Sequence, residues 1–66
     1  MNSVIKRDGS GTYPWLDKWI LIASNLSDAE AQATAEAQSG TVWIVTDYEA
    51  SRVRGRDEYP VGIRVK

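Results

Sequence analysis

Arg52, Arg54 and Arg56 stand at alternate positions and offer the most directed chemistry in this chain. A guanidinium fork binds carboxylate or phosphate through two parallel hydrogen bonds. On an extended backbone alternate residues point the same way, so the three groups would project from one face about 7 Å apart. Such a stripe reads anions, either the acidic groups of a partner protein or the phosphates of a nucleic acid. A solvated edge strand carries the same pattern to prevent edge-to-edge pairing. A second cluster, Tyr13-Pro14-Trp15-Leu16, places two large aromatic side chains in a predicted loop. Tyr and Trp are the types that most often carry interface energy, although Trp15 would equally plug one end of a small core. With Tyr48, these residues form the candidate partner-binding set: Arg52, Arg54, Arg56, Tyr13, Trp15 and Tyr48.

Other chemistries are excluded by residue type. The chain has no cysteine and no histidine, which removes disulfides, thiolate metal sites and the usual general base near neutral pH. Asp47, Glu49, Asp57 and Glu58 fall in predicted turns beside arginines, which keep carboxylates ionised instead of shifting them toward acid–base work. Asp8-Gly9-Ser10-Gly11 lacks the Gly-Lys-Ser/Thr ending of a phosphate loop, and no established RNA- or DNA-recognition motif is present. The expectation is a protein without enzymatic activity, cofactor or metal.

The elements that must position these residues belong to one domain spanning residues 1–66, with 42% hydrophobic and 26% charged residues and a net charge of −1. A chain this short buries only about 60% of its unfolded surface, so marginal stability or homo-oligomerisation is expected. No apolar run reaches the roughly 18–20 residues of a membrane span, which predicts a soluble, cytoplasmic protein. Charge is segregated: residues 24–50 hold five acids and no base, whereas residues 51–66 hold five bases against two acids.

Ser27-Asp28-Ala29-Glu30 reads as a capping box opening a helix from about Asp28 to Ser39, with Gly40 able to close it at positive φ. Alanine fills every odd position from Ala29 to Ala37, so Ala29, Ala33 and Ala37 share one stripe and Ala31 and Ala35 lie roughly opposite. With no large aliphatic in this helix, the core must come from strands. Lys18–Ala23 and Thr41–Thr46 read as central strands, parallel in one sheet with the helix as crossover, and Trp19 and Trp43 are core candidates. Ser3–Arg7 reads as a weak strand, Arg52–Arg54 as a short one, and alternating Val61, Ile63 and Val65 as a half-buried one. The predicted fold class is α+β, one helix on a small mixed β-sheet of three to five strands.

The run Ser24–Glu30, the alanine helix and Gly40-Thr41-Val42 resemble short anti-CRISPR proteins, and Arg52-Val53-Arg54 resembles the arginine pair of a phage inhibitor of bacterial RNA polymerase. The likeness covers about half the chain. It implies a phage-type inhibitor or regulator that occludes a surface of a host protein complex. The partner expected is therefore a host protein with an acidic surface, with nucleic acid or a second copy of the chain as alternatives.

Overall fold

The computed structural model describes residues 1–7, 18–56 and 58–66. Two strands have both of their faces covered. In β1 (Asn2–Arg7) and β3 (Val42–Thr46), successive side chains enter opposite cores. Val4, Val42 and Ile44 point one way, where Ala31 and Ala35 meet them. Ile5, Trp43 and Val45 point the other way, against Ala50 and Val53. Strands buried on both faces read as continuous apolar runs, as β3 does, whereas β1 shows this only at Val4 and Ile5.

The sheet order is β2-β1-β3-β4, with β2 at Trp19–Leu26, β4 at Ile63–Arg64 and every ladder antiparallel. The α+β class and strand number agree with expectation. The sheet is not mixed, because each neighbouring pair is antiparallel, and the run Lys18–Ala23, expected to be central, falls from Trp19 onward in the edge strand β2. Strands β2 and β3 are both antiparallel to β1 and hence parallel to each other, but β1 lies between them. The weak-looking Ser3–Arg7 segment takes the centre because Ser3, Val4 and Ile5 are all fully buried, and antiparallel pairing on both sides forms the more stable ladder.

Helix α1 (Asp28–Glu36) begins at the predicted capping box: Glu30 N donates to Ser27 Oγ at 3.2 Å and Ser27 N donates to Glu30 Oε1 at 3.1 Å. It ends earlier than Ser39. Its last carbonyls are met by Lys66, whose Nζ donates to Glu36 O and Gln38 O, supplying the positive charge that a helix C-terminus favours. Gly40 has φ 87° and turns the chain into β3. Of the two alanine stripes, Ala31 and Ala35 face the sheet with no exposure, and Ala29, Ala33 and Ala37 are exposed.

A second helix, α2 (Asp47–Val53), replaces the expected strand at Arg52–Arg54. Thr46 Oγ1 accepts from Glu49 N at 3.1 Å, so an N-cap starts the helix where β3 ends. It packs on the sheet face opposite α1 through Ala50 and Val53, giving three layers. Among the described residues, no helix is long and apolar enough to cross a membrane.

The C-terminal strand is shorter and more exposed than expected. Only Ile63 and Arg64 pair with β3, and Val65 packs beside Val42. Val61 and Ile63 are 75% and 67% exposed, because α1 lies over β1, β2 and β3 but not over β4.

Candidate interaction surface

Helix α2 fixes the arginines, and it separates them. Two residues along a strand share a face, whereas two residues along a helix lie about 200° apart. Arg52 and Arg54 therefore leave opposite sides of the chain, and the single stripe of three guanidinium groups does not form. Arg52 lies in α2, Arg54 is its C-cap, and Arg56 follows Gly55, which has φ 73°.

Arg52 is not a free anchor. Its Nε donates to Glu49 Oε1 at 2.8 Å, its Nη2 to Glu49 Oε2 at 2.7 Å and its Nη1 to Glu58 Oε2. Glu49 Oε2 also accepts from Val61 N at 2.8 Å. The Arg52 fork, with help from the Val61 amide, holds the Glu49 carboxyl down at about 2, and Glu49 in turn raises the Arg52 guanidinium above its ordinary value. A third tie comes from Trp19, whose Nε1 donates to Glu58 O at 2.7 Å. Together these bonds strap Glu58–Val61 against α2 and the Trp19 side of the core.

The strapped segment and the residues after it display Tyr59 and, from the expected half-buried strand, Val61 and Ile63. Tyr59 is 79% exposed, yet its ring meets that of Trp43 in a T-shaped contact, 5.3 Å between centroids and 88° between planes, a favourable aromatic geometry. Trp43 also meets Trp19 edge-on at 6.3 Å. Val61 and Ile63 are exposed further along the same segment, with the backbone fixed by the Glu49 bond and by pairing with β3; Ile63 lies opposite Ile44, on the sheet face that α1 covers. Arg64 follows in β4, and Arg56 stands 3.7 Å from Glu58. Tyr48 is 79% exposed on α2. Tyr13 and Trp15 lie outside the described residues.

On the other side of α2, a cleft of about 180 Å³ opens between the helix and β2, lined by Leu21, Ser24, Asp47, Ala50, Ser51 and Arg54 and floored by Ser3. Irregular pairing in β2 shapes it. Partners shift between Leu21 and Ala23 and again between Ala23 and Leu26, and Asn25 adopts φ 59°, a conformation Asn tolerates better than most residues. That bulge aims Asn25 N at Asp47 Oδ1 (3.2 Å), which also accepts from the buried Ser3 hydroxyl. The Ser3 hydroxyl, then the Asn25 amide, lower the Asp47 carboxyl below its usual range. Arg54 closes the far end. Its backbone is held by Ala50 O and by a bridge to Trp19, while among the described residues no acid pairs with its guanidinium.

Neither the cleft nor the apolar strip was reached from the residue pattern. A signal for α2 was present in Thr46-Asp47-Tyr48-Glu49, a capping-box spacing like that of α1. Comparison with protein-family models, curated proteins and solved structures finds no match for this chain.

Proposed function

We propose that the chain is a non-enzymatic protein-binding module whose contact surface is the strip of Tyr59, Val61 and Ile63 with Arg56 and Arg64 at its rim. The observation that carries this is the combination of exposure with fixed backbone: three large side chains lie 67–79% exposed on a segment tied down at both ends. Exposed apolar side chains rimmed by charge mark interaction sites, and a preordered segment loses little entropy on association. The rim carries the basic Arg56 and Arg64, with Glu58 3.7 Å from Arg56. The complementary partner is a protein with an apolar centre and acidic margin, and the action expected is stoichiometric occlusion of that partner's surface, the behaviour of an inhibitor or regulator.

The test is affinity capture from bacterial lysate with the whole chain and with a Val61→Asp, Ile63→Asp variant, read by mass spectrometry. Both substitutions are on exposed side chains, and circular dichroism checks that the variant is folded. The expected result is a partner held by the parent and lost by the folded variant. Equal retention by both would remove the strip from this role.

A further inference from the structure

The cleft on the opposite side of α2 shares no lining residue with the strip, and its lining includes one acid and one base. Asp47 and Arg54 carry opposite charges seven residues apart along one helix face, a rise of roughly 10 Å. Between them the cleft is apolar along Leu21 and Ala50, with the Ser24 and Ser51 hydroxyls beside it. The two charged ends do not neutralise each other: no ion pair joins them among the described residues. Asp47 uses Oδ1 for both of its hydrogen bonds, to Ser3 and Asn25, which leaves Oδ2 as an acceptor. Arg54 keeps its fork for an incoming oxyanion.

We propose that this cleft binds a dipolar aliphatic ligand, one carrying an ammonium group at one end and a carboxylate at the other, separated by a short methylene chain. The ammonium donates to Asp47, the carboxylate accepts from Arg54, and the methylenes lie on Leu21 and Ala50. A simple anion is disfavoured by Asp47 and a simple amine by Arg54, so both charges are needed on one molecule. The volume of about 180 Å³ suits a ligand the size of a free amino acid with a long side chain. Free lysine and a lysine at a chain terminus share this chemistry.

The probe is aminohexanoate, with its amine at the terminal carbon, titrated into the isotopically labelled whole chain and followed by amide and arginine Nε–H shifts. Hexanoate and hexylamine, each lacking one charge, are the controls, and glycine tests the spacing. Saturable shifts confined to Ser24, Ser51, Arg54 and their neighbours are expected at millimolar ligand, with each single-charge control weaker by about tenfold or more. Arg54→Gln, which breaks no bond seen among the described residues, should weaken aminohexanoate by a similar factor. Arg54→Glu should reverse the preference, binding pentane-1,5-diamine more tightly than aminohexanoate. Equal affinity for hexylamine and aminohexanoate, shifts located elsewhere, no saturable shift, or indifference to both Arg54 variants would each overturn the proposal.

Discussion

Gly62→Ala is the sharpest probe of how the exposed strip is held. Gly62 does not adopt a positive φ, so the substitution is free of left-handed backbone strain and tests space alone. An added Cβ would stand 2.5 Å from Ile44 O and 2.7 Å from Val45 Cγ1, with Val45 Cα at 3.3 Å. The first contact is with backbone in β3, which cannot rotate away as a side-chain tip can. Forcing a carbon into packed surroundings costs about 1–3 kcal/mol. For a domain of this size each kcal/mol shifts Tm by about 4–8 °C, so a cost near 2 kcal/mol predicts a fall of roughly 8–16 °C. If the chain relieves the clash by lifting β4 off β3, the loss is local first, and amide exchange at Val42, which donates to Lys66 O, accelerates more than exchange in β1. Urea denaturation followed by tryptophan emission, with hydrogen exchange on the same samples, reads both. A Gly62→Ala protein within about 0.5 kcal/mol of the parent and with unchanged exchange at Val42 would show that Gly62 does not sit against β3.

Four further outcomes follow from the packing and the charge network. Ala35→Leu overfills the contact between α1 and the sheet and should cost about 1–3 kcal/mol, while Ala33→Leu on the exposed stripe stays within about 0.5 kcal/mol, both read by denaturant midpoint. Ser27→Ala removes the cap of α1 and should cost about 0.5–2 kcal/mol in the same assay. Glu49 has its carboxyl lowered from an ordinary 4.5 to about 2. Its contribution to stability is therefore complete above pH 4.5 and is lost as pH falls toward 2. The unfolding midpoint should drop across that window and drop less in Glu49→Gln, and parallel pH curves would refute the assignment. Arg52→Gln should loosen the strap, seen as changed tryptophan emission and faster exchange of the Val61 amide, whereas Arg54→Gln should leave both at parent values.

Much of the scaffold was legible because local signals and burial agreed. Ser27 and Glu30 specify the start of α1 through their own side chains, and the apolar runs around Trp19 and Trp43 are continuous because a helix covers each face of the sheet. The strand order was not legible. Nothing local in Ser3–Arg7 states that it is flanked on both sides, since that depends on pairings with residues twelve to forty-two positions away. The C-terminal alternation misled for a related reason. Val61, Ile63 and Val65 have the period of a half-buried strand, but burial needs a covering element, and α1 stops short of β4. The cleft depends on Asn25 at φ 59° and on an antiparallel register shift, neither of which composition or spacing encodes.

The placement of α2 links both candidate surfaces to one local choice of backbone conformation. Had Arg52–Arg56 been extended, three guanidinium groups would share a face and act on one anionic partner. In the helix, Glu49 and Arg52 lie on one side, where they strap down Glu58–Val61, and Asp47, Ala50, Ser51 and Arg54 lie on the other, where they line the cleft. The same Thr46 cap that starts the helix fixes the positions of Asp47 and Glu49 immediately after it. Loss of that helix would therefore release the apolar strip and dismantle the charged cleft together, although the two surfaces share no lining residue. Damage to one side alone, by Arg52→Gln or by Arg54→Gln, leaves the other in place. Two sites that fail jointly when α2 melts and separately when its arginines are changed are what a helix wedged between them requires.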